Sequence, residues 1–197
     1  MNFSMVHNTI ILIGWSLLYA TMVHAHPHVW IYAKTTFLIH NKTVTGIIVE
    51  WEFDDFYGNT LIADFDKNRN YRFEAKEIKA LKRKAFQKTA HQNYFTFVKI
   101  NGKLMRRLVP TEFHASIDYG KVNYRFALHF PKPVNPRHSR VTVTYYESSY
   151  YIDVTGDKVS EKSDGSLVCT SDIVEDSSVT IYYNSINPLM ATLRCRT

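Results

Sequence analysis

His28-Val29-Trp30-Ile31-Tyr32-Ala33-Lys34-Thr35-Thr36-Phe37-Leu38-Ile39, then His40-Asn41-Lys42-Thr43, then Val44-Thr45-Gly46-Ile47-Ile48-Val49-Glu50-Trp51-Glu52-Phe53, is the stretch that settles the architecture. Both arms are rich in β-branched and aromatic residues, which suit a pleated, half-buried surface, and the four residues between them carry turn chemistry. The stretch predicts a β-hairpin. With Asn41 and Lys42 as the two loop residues, the pairing sets His28 opposite Asp55 and His26 opposite Tyr57, and a bulge would move this by a residue or two.

Downstream, the pattern is mixed from Asp54 to Asp64 and becomes helical from Glu74 to about Ala90, with Ile78, Leu81, Ala85 and Phe86 on one stripe. Lys79, Lys82, Arg83 and Lys84 on the opposite face read as a solvated helix surface rather than a partner site. Tyr94–Ile100 and Lys103–Val109 flank Asn101-Gly102, the strongest short hairpin signal in the chain. Glu112–Asp118 and Val122–Phe130 flank Tyr119-Gly120-Lys121. With Gly120 and Lys121 as the turn, Glu112 falls opposite His129 with His114 on the same face, a pattern that reads as a surface ion pair. Pro131, Pro133 and Pro136 break the chain before Arg140–Tyr146 resumes as strand. Tyr150–Val154, Leu167–Ile173 and Ser178–Tyr183 complete the strands, and Asp157–Gly165 reads as a polar loop. The expected fold is α+β: a mainly antiparallel β domain of hairpins, sandwich-like, with a helical insertion over residues 54–92.

Upstream, Thr9–Val23 is apolar apart from Thr9, Ser16 and Thr21, and Val23 and Ala25 stand in the alternating positions of a secretory cleavage site. The run is shorter than the roughly 20 apolar residues that span a bilayer. Its n-region departs from the usual pattern, having no Lys or Arg. Residues 1–25 are thus expected to be a signal peptide, and residues 26–197 a single periplasmic domain with room for one hydrophobic core. The formal charge of +6 stays with that domain, because the leader contains none of the Lys, Arg, Asp or Glu. Export argues against a nucleic-acid partner, while a basic surface suits contact with anionic membrane or wall surfaces. In an oxidising compartment Cys169 and Cys195 read as one disulfide, which by loop entropy contributes roughly 3 kcal/mol.

Cleavage after Ala25 would place His26 first, followed by Pro27 and His28. A terminal histidine offers its free amine and its ring as a bidentate brace, and His28 adds a third nitrogen. Asp54 and Asp55, near in register, supply a carboxylate either as ligand or as a group orienting a histidine. The expected metal site is therefore His26, His28, Asp54 and Asp55, and the suited ions are nickel, cobalt, zinc or copper. Pro27 has no N–H to lose, so the square-planar copper site that needs a deprotonated second amide is blocked. The bland alternative is a pair of ordinary polar histidines at a chain end.

Asp66-Lys67-Asn68-Arg69-Asn70-Tyr71-Arg72-Phe73-Glu74-Ala75-Lys76-Glu77 follows the twelve-position calcium loop, with oxygen side chains at Asp66, Asn68, Asn70, Glu74 and Glu77. Tyr71 stands where glycine is expected, and Arg69 and Arg72 oppose a cation, so the loop reads as a decayed EF-hand-like cap for the following helix with weak calcium affinity at most. No Ser/His/Asp or Cys/His arrangement and no glycine-rich phosphate loop can be assembled, so a catalytic role is not expected.

Ala25–Ile31, Val49-Glu50-Trp51-Glu52-Phe53-Asp54-Asp55-Phe56-Tyr57, the calcium-type loop, Asn93–Thr96 and Tyr145-Tyr146-Glu147-Ser148-Ser149-Tyr150-Tyr151 together resemble the bacterial domain of unknown function 1007 family, in order along nearly the whole domain. The resemblance implies a periplasmic component of an uncharacterised ABC-type transport system, in a family often linked to nickel, cobalt or zinc uptake or efflux. It maps the family's His-Pro-His segment onto His26, Pro27 and His28. Tyr71 and Glu147 depart from the glycine and aspartate usual there. The expected function is a metal-binding accessory protein that serves a membrane metal transporter. Two alternatives stay open: a copper enzyme of the N-terminal-histidine type, and a non-catalytic structural partner of an envelope complex.

Overall fold

In the computed structural model, which describes residues 27–196, the first hairpin forms where the sequence places it. Strand β1 (Val29–His40) turns through Asn41 and Lys42 into β2 (Thr43–Phe53). Both turn residues are left-handed (φ 48° and 60°), as the type I′ turn that matches strand twist requires. Alternation along β1 buries Val29, Ile31, Ala33, Thr35, Phe37 and Ile39 and turns Trp30 and Tyr32 to solvent.

One residue corrects the expected register. Ile39 pairs with Val44, but Leu38 pairs with Gly46, so Thr45 is an extra residue on β2 and every pair beyond it is displaced by one. Trp30 rather than His28 therefore stands across from the Asp54-Asp55 pair: Asp54 N–H donates to the Trp30 carbonyl at 3.0 Å. On the other side of β2, the register with β6 (Lys121–Val134) jumps at the same place, from Gly46↔His129 to Val44↔Val134. Gly46 is required there, since a Cβ would sit 2.6 Å from the Leu128 carbonyl oxygen. Beyond Thr111↔Ala127, β6 has no partner in β5 (Thr111–Asp118), which explains why it runs through Pro131 and Pro133 instead of stopping before them.

Among the described residues two five-stranded sheets result. One has the order β5-β6-β2-β1-β8, with β8 at Ile152–Ser163. The other has the order β4-β3-β7-β10-β9, from Lys103–Leu104, Thr96–Ile100, Val141–Tyr145, Leu189–Cys195 and Cys169–Glu175. All pairings are antiparallel except β1 with β8, which is parallel. The arrangement is α+β and sandwich-like, with one apolar core drawn from both sheets and the helical segments.

Several expected elements differ in detail. β8 occupies most of the expected Asp157–Gly165 loop, because an edge strand with a solvated face can be built from Asp, Lys, Ser and Glu. β10 was not anticipated: Met190, Ala191, Thr192 and Leu193 are all buried, so the strand has no alternation to reveal it. Ser178–Tyr183 is instead a turn region held by an Ile181↔Ile186 bridge. β4 ends at Leu104 rather than Val109, and Arg107 (φ 62°) turns the chain. The β5–β6 turn is Tyr119-Gly120, not Gly120-Lys121, with Asp118 paired to Lys121. The expected Glu112–His129 contact still forms, at 3.1 Å.

The insertion holds α1 (Asp55–Phe65), α2 (Ala75–Lys84) and a 3₁₀ segment (Phe86–Phe95). α1 gave no helical signal because Gly58 and Leu61 are its buried residues, too few to draw an apolar stripe. It is started by Asp54, whose carboxylate accepts the Tyr57 N–H at 2.9 Å. Phe86 and Phe95 close on the core around Trp51, which also packs against Phe53, Tyr124 and Phe126. Cys169 and Cys195 face each other across β9 and β10 and form the expected disulfide. Among the described residues no helix is long and apolar enough to cross a membrane. The leader expected over residues 1–25 and the histidine at 26 lie outside the described residues.

Candidate functional site

The chain enters the fold at Pro27, which is buried, and His28, which is exposed. The His28 N–H donates to the Tyr151 carbonyl at 2.9 Å, so β1 begins by docking on the segment before β8. With Pro27 lacking an N–H and that of His28 bonded, neither of these amides is open to metal-driven deprotonation. The imidazole of His28 lies against the Tyr151 ring, with centroids 4.7 Å apart. Neither ring nitrogen is hydrogen-bonded to another of the described residues, and a neutral imidazole keeps one nitrogen lone pair for a ligand.

Tyr151 is itself fixed from below. Glu147, buried in the corner before β8, accepts the N–H groups of Ser149 (3.0 Å) and Tyr151 (3.0 Å) and the Ser149 hydroxyl. Burial pushes the Glu147 carboxyl up, but the Ser149 hydroxyl and the N–H groups of Ser149, Tyr151 and Ile152 together outweigh it and hold the group below the ordinary carboxylate value. A longer side chain in place of the aspartate expected at Glu147 thus still makes a closed carboxylate-capped turn. Its product is the position of the tyrosine on which His28 rests.

The two aspartates serve the frame. Asp54 receives Tyr57 N–H on one oxygen and Trp30 N–H, at 2.8 Å, on the other, pinning β1 to the start of α1. Asp55 is exposed and pairs with Lys121 of β6. Among the described residues no group of three or more His, Cys, Asp or Glu side chains converges as a metal cage. The histidine at 26, which carries the expected brace, lies outside them; of the expected metal set the structure describes His28 and the two aspartates, and both aspartates have other partners.

The calcium-type loop adopts the turn its motif requires, with Tyr71 left-handed at φ 57° in the glycine position. Asp66 is buried and accepts Asn70 N–H at 3.2 Å and Tyr71 N–H at 2.8 Å. Glu77 accepts Lys67 N–H at 2.7 Å and Glu74 N–H at 2.9 Å. The amides of Asn68 and Asn70 both donate to one oxygen of Glu74, and their carbonyl oxygens accept Asn70 and Arg72 N–H. The side-chain oxygens of Asp66, Asn68, Asn70 and Glu77 all accept backbone N–H groups of the loop, and Glu77 caps α2.

Sequence reasoning did not assign roles to Tyr151 and Glu147. The signal was the run Tyr145–Tyr151, whose density of tyrosines marks a packed corner without saying which ring meets which histidine.

The family model described as "Protein of unknown function (DUF1007)" matches residues 11–189. The chain is a DUF1007 protein. Within the match fall Pro27-His28, the Asp54-Asp55 pair, the calcium-type loop and the Glu147 corner. A Spirochaeta aurantia protein described as "Uncharacterized 15.5 kDa protein in trpE 3'region" is 29% identical over 98 residues, 50% of this chain and 69% of that one. An uncharacterised Haemophilus influenzae protein is 24% identical over 135 residues, 68% of this chain and 64% of that one, so the similarity spans just under two thirds of its length. No solved structure matches this DUF1007 chain.

Proposed function

We propose that this DUF1007 protein is exported, loses residues 1–25, and binds a divalent transition metal through the amine and ring of His26 together with the ring of His28, handing the ion to or from a membrane transporter. The single observation that carries the reading is the setting of His28: an exposed imidazole with no hydrogen-bond partner among the described residues, on a backbone fixed by Tyr151, two residues from the expected new terminus. A ligand on a rigid strand start costs less ordering entropy than one on a free tail. Asp54 acts here as a positioning residue, tying Trp30 and hence the start of β1 to α1. The disulfide suits an oxidising compartment. Nickel, cobalt, zinc and copper all fit nitrogen donors of this kind, and the cargo is one of these.

Titration of the exported protein with zinc, nickel and copper tests this. Adding one residue ahead of His26 converts the amine to an amide and is expected to weaken binding about tenfold or more, a change of roughly 1.4 kcal/mol. Unaltered affinity in that variant, or in His26→Ala, overturns the brace.

A further inference from the structure

The strand order gathers five stretches of chain at the end of the sandwich remote from His28: the turn 40–43, the turn 101–103, the β6–β7 connection 135–140, the β8–β9 connection 162–168 and the close of β10 at 194–195. They are tied to one another. Asn41 and Lys42 donate their N–H groups to the Asp164 carboxylate (2.9 Å) and the Ser166 hydroxyl (2.8 Å). Asn101 N–H donates to the Arg140 carbonyl and Arg140 N–H to the Asn101 side chain, and the pairing of Leu193 with Val141 sets Arg194 beside Arg140. These stretches carry six cations, Lys42, Lys103, Arg137, Arg140, Lys162 and Arg194, all exposed, against the single acid Asp164. That acid is already engaged by His40 (2.9 Å) and by backbone N–H groups, and none of the six cations has an ion-pair partner among the described residues. Around the start of β1 the sign reverses: Asp54, Asp55, Glu147 and Asp153 stand there, with Lys121 paired to Asp55.

Cations held together without counter-charges repel one another, and an anionic surface relieves that repulsion while orienting a molecule whose two ends differ in sign. The form of the patch selects among anions. Lys103, Arg140 and Arg194 belong to one sheet and Lys42 and Lys162 to the other, and packed sheets lie about 10 Å apart, wider than one phosphate. The five stretches contain no Phe, Tyr or Trp, so they offer no platform on which nucleotide bases could stack. Val168, 66% exposed, adds an apolar side chain among the cations. We propose that this end of the protein docks on an anionic lipid bilayer, its Lys and Arg side chains at the level of the headgroup phosphates. β1 is twelve residues long, so His28 then stands about 40 Å from the docked end. The inference does not rest on metal binding and concerns only which end meets lipid.

Flotation of the exported protein with vesicles tests it, with a chelator present so that metal plays no part. The protein is expected to float with vesicles of phosphatidylglycerol and phosphatidylcholine, to stay behind with phosphatidylcholine alone, and to be released at about 1 M salt, where screening acts within about 3 Å. Arg137→Glu combined with Arg140→Glu is expected to weaken binding about 25-fold or more, from about fivefold for each cation lost. Lys103→Glu with Lys162→Glu, on two other connections, is expected to do the same. Lys79→Glu with Arg83→Glu, on the exposed face of α2, alters the net charge equally and is expected to leave binding within about twofold, since those charges are not held at the lipid surface. All six positions are exposed, and matching thermal unfolding curves verify that the three variants fold. No flotation with the phosphatidylglycerol vesicles, equal flotation with neutral ones, equal loss in the α2 variant, or tighter binding of a single-stranded DNA oligonucleotide than of the anionic vesicles overturns the proposal.

Discussion

Asp54 opens helix α1 and Asp66 closes it, and the segments around them take opposite courses. In the loop Asp66–Glu77, the acidic oxygens turn inward to accept the loop's own N–H groups, with Asp66 holding Asn70 and Tyr71 and Glu77 holding Lys67 and Glu74. At the Pro27–Trp30 end, Asp54 is filled in the same manner, by Tyr57 and Trp30, but the imidazole of His28 lies against the Tyr151 ring and has no hydrogen-bond partner among the described residues. The lesson concerns how carboxylates should be read. Near helix ends carboxylates accept backbone donors, so a cluster of them in sequence marks a cap as readily as a cation site.

The contrast can be broken most forcefully at Asp66. Asp66→Ala removes a buried carboxylate that accepts the N–H groups of the exposed Asn70 and Tyr71 and is expected to cost about 1–2 kcal/mol, lowering Tm by roughly 2–8 °C in a domain of this size, with metal titration unchanged. Thermal unfolding beside a zinc titration checks both halves. If instead metal affinity collapses and Tm holds, the loop is the metal site and the two regions have been assigned the wrong way round.

His28→Ala is the mirror experiment. It removes an exposed ring, so stability should stay within about 0.5 kcal/mol. Metal affinity should fall about tenfold or more, equivalent to roughly 1.4 kcal/mol. Calorimetric titration of wild type and variant reads the difference.

How much of this could be taken from sequence depended on whether a local rule was left undisturbed. The Asn41-Lys42 and Asn101-Gly102 hairpins were legible because left-handed turn residues and alternation point the same way. The disulfide was legible from two cysteines. The register of the first hairpin was not, since the bulge at Thr45 answers to a close approach between Gly46 and Leu128 on a third strand. α1 was hidden because a helix packed by Gly58 and Leu61 has no periodic stripe, and β10 because burial on both faces erases alternation. Within the site, the exposed His28 was legible as a donor. Tyr151 beneath it was not, because the pairing of β1 with β8 joins residues more than a hundred positions apart.

Acid offers a finer test of the frame. The Glu147 carboxyl is held below its ordinary value of 4.5, so the stability it contributes is present in full above that value and is lost as pH falls through the lower folded-state one. Glu147→Gln should therefore flatten the stability-against-pH curve on the acid side, measured by urea unfolding at a series of pH values. A curve of unchanged slope would mean that the corner under Tyr151 is not held by that charge. Smallest of all is Tyr71→Gly. The tyrosine is exposed and left-handed, and relief of its backbone strain, offset by the greater freedom of glycine when unfolded, should raise stability by about 0.5–1 kcal/mol.

The central claim is that processing creates the chelate. Intact-mass analysis of the exported protein, first under native and then under denaturing conditions, addresses it in one sample. The account predicts a chain that begins at His26 and carries one transition-metal ion that denaturation releases. A chain beginning at any other residue, or one beginning at His26 that takes up no metal when zinc, nickel or copper is supplied, contradicts it.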